Sequence, residues 1–189
     1  MKGGFGFYWR RNAAYYLSFA CIAAISSVVA WQLATKVTEE EKVDFLVVTR
    51  ADSADQNKFQ QAVKEHQPSY LYTTNIRFVM PESKEIGQLF GTYGAIEADC
   101  FLLLGDILDQ PYVDWGSFLP LGKTAKEALG KDAAYYQKDG VSYGVKVHSG
   151  VKEGEEAYLF FASTSLHLGP LKADSPYDGA YAMAKGFLL

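Results

Sequence analysis

The sequence predicts an α/β domain: a parallel-core sheet flanked by helices, preceded by one transmembrane helix. Three observations carry that expectation. An uncharged stretch lies near the N-terminus, short apolar runs rich in β-branched residues follow it, and amphipathic helical patterns alternate with those runs.

The uncharged stretch is "NAAYYLSFACIAAISSVVAWQLAT", 24 residues (12–35) between Arg11 and Lys36. A helix of that length spans about 36 Å, against about 30 Å of hydrocarbon. Tyr15, Tyr16 and Trp31 lie near its ends, where amphipathic rings favour the headgroup zone. A cleaved signal peptide would have a shorter apolar core, and a lipoprotein signal would put Cys21 at the end of the run. The stretch therefore reads as an uncleaved anchor. Lys2, Arg10 and Arg11 precede it and Glu39, Glu40 and Glu41 follow it, which orients the N-terminus inside and the C-terminus outside. The expected organisation is a cytoplasmic N-terminus (1–11), a span (12–35), a linker (36–42) and an extracytoplasmic domain (43–189).

The first 35 residues carry three cations and no acid, so the remainder stands at −7 against −4 for the whole chain. An outer domain so acidic is a poor match for nucleic acid or an anionic membrane surface. Cys21 falls in the span and Cys100 in an apolar run, so no disulfide is expected. An outer domain without one suits a bacterial surface of Gram-positive type better than an animal secreted module.

Within the outer domain, "VDFLVVT" from Val43 reads as a buried strand. "SADQ", from Ser53, is a capping box opening a helix through Phe59, Ala62, Val63 and His66, which Pro68 stops. "TNIRFVM" is a second strand with Ile76, Phe78 and Met80 alternating. Ile86, Leu89, Phe90 and Tyr93 form one face of a second helix. "DCFLLLGDIL" is a central strand, completing a β-α-β-α-β order that indicates a parallel sheet. A second small capping box, Thr124 to Glu127, begins a short helix. "GVSYGVKVHSGVKEGEEAYLFFAS" reads as two strands, and Ala180, Met183, Ala184 and Phe187 share a face of a last helix.

Three segments in this order carry a resemblance: "EADCFLLLGDI" (97–107), "GSFLPL" (116–121) and "YYQKDGVSYGVKV" (135–147). Together they resemble the first lobe of bacterial extracellular solute-binding proteins, the sugar-type partners of ABC importers. The resemblance covers residues 43–147. In that family the strand after the Tyr-Gly step crosses into a second lobe, and ligand is gripped between the two. Here 42 residues follow Val147, and Lys146 replaces the family's proline. The resemblance therefore implies a single lobe without its partner.

Chemistry-bearing motifs are sparse. His66, His148 and His167 show no metal spacing, and no phosphate-binding or dinucleotide loop is present. "STSLH", with Ser163, Ser165 and His167, lacks a nucleophile elbow and reads as strand alternation. No catalytic set, cofactor or metal is expected. Ligands of open parallel sheets lie beyond the carboxyl ends of strands. That rule places candidate surface residues at Arg50 and Asp52 after the first strand and at Asp106 after the third. Tyr112, Trp115 and Phe118 follow, as rings able to stack on a sugar or cover an exposed sheet.

The function expected is a membrane-anchored interaction domain that docks on an importer permease or a two-lobed binding protein. The alternatives are weak saccharide capture through Asp106 and Trp115, and a sensor input. About ten cytoplasmic residues leave no room for a signalling enzyme in the same chain.

Overall fold

The computed structural model describes residues 5–34, 36–94, 97–148, 151–152 and 154–188. The chain divides into two compact units, residues 1–37 and 38–189. The first is one helix, α1 (Phe5–Ala34). Its stretch Tyr15–Leu33 is long and apolar enough to cross a membrane, and none of it is buried against protein.

The second unit is α/β with one mixed six-stranded sheet. Its elements are β1 (Lys42–Val48), α2 (Ser53–Glu65), β2 (Thr73–Val79), α3 (Ile86–Leu89), β3 (Cys100–Leu104), α4 (Lys123–Leu129), β4 (Tyr135–Lys138), β5 (Val141–Val147), β6 (Ala157–Phe161) and α5 (Gly179–Leu188). Strand order is β2-β1-β3-β6-β5-β4. β1 pairs in parallel with β2 and β3, as the β-α-β-α-β reading requires. The expected parallel core is the β2-β1-β3 half of a mixed sheet; β3–β6, β6–β5 and β5–β4 are antiparallel. For β4 and β5 the reason is connection length. A parallel return needs a crossover of about a dozen residues. β4 and β5 are joined instead by a two-residue turn, Asp139-Gly140, with φ of 52° and 79°. Positive φ at both positions matches the right-handed twist of a hairpin.

Both faces of the sheet are covered, so β1 and β3 are buried almost throughout. On one face Phe59 of α2 meets Phe45 and Phe78 edge-on, and Met183 of α5 meets Thr74. On the other, no long helix lies over β3 and β6. A ladder of rings runs Phe90, Phe101, Phe118, Phe160, with centroids 6.0, 5.1 and 4.8 Å apart.

Several local expectations shift. Asp52, not Ser53, caps α2, its Oδ1 accepting from the N–H groups of Ala54 and Asp55. Gly122 precedes α4 without a side-chain cap, so Thr124 caps nothing. The second helix has a single turn, α3, continued as a π-turn over Phe90–Gly94. Met80 lies past the end of β2 and is 64% exposed. Glu39–Glu41, within the segment read as a linker, form a 3-10 turn built into the domain through the Tyr72 N–H to Glu41 O bond. The side chain of Phe187 lies outside the described residues; Ala180, Met183 and Ala184 are fully buried as expected.

Candidate functional site

β1 leads to β2 on one side, and the chain then crosses to β3 on the other. That reversal opens a crevice beyond the carboxyl ends of β1 and β3, where ligands of such sheets bind. Arg50, just after β1, occupies it. Its Nε donates to Glu82, and its Nη1 donates to Asp106 Oδ2 at 2.9 Å and Glu155 Oε1 at 3.2 Å. The three carboxylates come from the loops after β2, after β3 and before β6. The guanidinium holds the Glu82 carboxyl below its usual range, and Glu82 in turn, ahead of Asp106 and Glu155, raises the guanidinium further.

Gly105 N–H closes the wall by donating to Glu156 O at 2.8 Å. Glu155 Oε2 is buried and accepts no hydrogen bond, so the cluster holds one spare acceptor. What remains open is a cavity of about 280 Å³. It falls just under the roughly 300–1,000 Å³ of pockets that enclose small molecules.

The structure thus brings Arg50 and Asp106 together and sends the other candidate residues elsewhere. Asp52 is committed to capping α2. Tyr112 is half-buried against Phe90, their ring centroids 5.5 Å apart. Burial, and then the charge of Asp106, push its phenol up. Phe118 is 2% exposed and belongs to the core, so it can form no part of an exposed surface. Trp115 is half-buried in a cluster of rings, stacked on Tyr136 at 5.4 Å and edge-on to Tyr143 and Phe160. Lys138 Nζ lies 4.4 Å from the centre of its ring.

Glu82, Glu155, Tyr136, Tyr143 and Lys138 were not singled out by the sequence. The only signal was indirect: a lone arginine at a strand end needs an anionic partner when it folds inward.

A second polar cluster sits at the opposite end of the sheet. Ser165 Oγ donates to Asp99 Oδ1 at 2.5 Å, and Asp44 N–H donates to Asp99 Oδ2 at 2.9 Å. Burial raises the Asp99 carboxyl above its usual range, against the pull of those two donors. His167 is buried, with Nε2 2.9 Å from Glu39 O and Nδ1 3.3 Å from the Tyr70 hydroxyl. Glu39 O can only accept, so Nε2 carries the proton. Ser165 and His167 lie in the loop after β6, which corrects the strand reading of "STSLH". The ring nitrogens serve Glu39 and Tyr70, and Ser165 Oγ serves Asp99 and the His167 N–H. This geometry is a clamp on the Glu39–Glu41 turn and not a nucleophile–base pair.

Among the described residues no group of three His, Cys, Asp or Glu is arranged to hold a metal. Burial pushes the Cys100 thiol well above its ordinary value, which makes it a poor nucleophile. Comparison with protein-family models, characterised proteins and solved structures finds no match to the chain.

Proposed function

We propose that the chain is a membrane-anchored extracytoplasmic interaction domain whose partner is another envelope protein. By the resemblance in segments 97–107, 116–121 and 135–147, that partner is a component of a sugar-type ABC importer. One observation carries the choice of interaction over capture: the switch-point crevice is filled by the protein's own Arg50 and three carboxylates. A sugar entering it would have to break charge-assisted hydrogen bonds and would still be only partly enclosed. The rings that could have stacked on a sugar are engaged in covering the sheet. The apolar helix α1 supports attachment to the membrane, and the charges flanking it support an orientation with residues 38–189 outside.

The test is co-purification of the tagged full-length protein from its own membrane in mild detergent, read by mass spectrometry. Stoichiometric recovery of a permease or a two-lobed binding protein supports the reading. Recovery of the protein alone, with thermal stabilisation by a saccharide, would replace it with capture.

A further inference from the structure

A second hollow, lined by none of the crevice residues, lies beside α4 and the start of β5. It has a volume of about 860 Å³ and a wide mouth. Lys123, Lys126 and Lys131 line it together with Glu127, and Pro120 and Val141 contribute exposed apolar surface.

Its charge runs against that of the domain. Residues 38–114 carry fourteen acidic and six basic side chains, whereas residues 115–152 carry six basic and three acidic. The strand order puts these segments at opposite ends of the sheet, with β2 and β1 at the acidic end and β5 and β4 at the basic end. Glu153, Glu155 and Glu156 follow directly, so the basic excess belongs to residues 115–152 alone.

The lysines are also unspent. Lys42, Arg50, Lys58, Lys146 and Lys172 each lie within 4 Å of a carboxylate. Lys123 and Lys131 have no such partner among the described residues. Lys126 is steered over the Tyr135 ring, 5.3 Å from its centre. Three ammonium groups against the single carboxylate of Glu127 leave the lining with an excess of positive charge. Beneath them Val141 remains 38% exposed.

We propose that this hollow docks an acidic segment of a protein partner. Its carboxylates would meet Lys123, Lys126 and Lys131, and an apolar side chain would sit on Pro120 and Val141. A wide, half-apolar hollow suits a peptide strip better than a lone phosphate, which would find no use for the apolar floor. The inference rests on the interaction reading above and names the chemistry of the partner.

The experiment uses the full chain in detergent and a fluorescent peptide of alternating glutamate and leucine, followed by anisotropy. Binding should weaken at least about tenfold in Lys123→Glu/Lys131→Glu and fall as salt rises. Lys123→Gln/Lys131→Gln should lose part of that affinity. Lys58→Glu/Lys84→Glu, with the same change of charge elsewhere, should bind as wild type. Unfolding curves confirm that each variant folds. Equal binding by Lys123→Glu/Lys131→Glu, equal binding of the glutamine–leucine peptide, or displacement of the peptide by millimolar inorganic phosphate would each overturn the proposal. Co-purification separates the two readings. A partner recovered equally by wild type and Lys123→Glu/Lys131→Glu removes the hollow and leaves the interaction domain. No partner with wild type removes the interaction domain itself.

Discussion

Replacing Gly144 by alanine should destabilise the domain, although alanine is the better strand residue. A Cβ at this position would lie 2.7, 2.8 and 3.1 Å from three atoms of the Phe160 ring, where ordinary contact begins near 3.4 Å. The ring cannot swing aside. It is stacked on Phe118 at 4.8 Å and flanked by Trp115 at 5.9 Å and Tyr136 at 6.2 Å. Overpacking of this kind costs about 1–3 kcal/mol. Relief of the glycine entropy cost returns roughly 0.5–1 kcal/mol. A net loss of about 1–2 kcal/mol lowers Tm by about 3–6 °C in a unit of this size. Thermal unfolding of the full-length protein in detergent, followed by near-ultraviolet circular dichroism of the ring cluster, measures it. Pairing with Phe160→Leu should restore part of the loss, since the smaller side chain removes the clash. An unchanged or higher Tm for Gly144→Ala would refute the packing argument.

Removal of the crevice cation, as Arg50→Met, should lower Tm at low salt and by less at high salt, because the freed carboxylates repel one another until ions screen them; equal loss at both would refute the electrostatic account. The pH profile follows from two opposed shifts. The raised Asp99 carboxyl makes ionisation a penalty that is fully present above its folded value and is relieved as pH falls through that value toward the unfolded one, about 4. Glu82, held low by Arg50, contributes above its unfolded value and loses that contribution only as pH falls further, through its folded value. Stability should therefore rise on mild acidification before it falls, and Asp99→Asn should flatten the rise; a monotonic decline from neutrality would contradict the assignment. His167→Ala removes the ring that holds Glu39 O and should expose the segment near Glu39–Glu41 to limited proteolysis, while cleavage elsewhere stays unchanged.

The parts of this molecule legible in its sequence are those fixed by local rules. Phe45, Leu46, Val47 and Val48 form a continuous apolar run, and such a run must be covered on both faces, which fixes β1 as central. Asp139-Gly140 demands a hairpin because both positions take positive φ. Cap positions are harder. Asp52 and Ser53 are both good caps, and only the backbone geometry gives the role to Asp52. The antiparallel half of the sheet was the larger loss. Five of the six strands were visible, β4 being seen only as a tyrosine pair before the Asp-Gly turn, but strand order and direction depend on which connections are too short to cross over.

The family resemblance bears on how the Tyr-Gly step at Tyr143-Gly144 is to be understood. In the family that step marks a crossing into a second lobe, whereas here a single lobe without its partner was expected. In this chain β5 does not leave, since it pairs with β6 from Gly144↔Phe160 to Val147↔Ala157 and ends against the same sheet. Gly144 is required for a different reason: Phe160 lies across its Cα and completes the ring ladder that stands where a covering helix would be. That ladder also accounts for the fate of the proposed stacking rings. With no long helix on that face, Phe118 must be buried and Trp115 half-buried to keep Phe101 and Phe160 from water. Arg50 is taken up in a similar way at the crevice, where the carboxylates of three loops surround it. Lys123 and Lys131 have no carboxylate within ion-pair distance among the described residues, so the test of the proposed contact begins there.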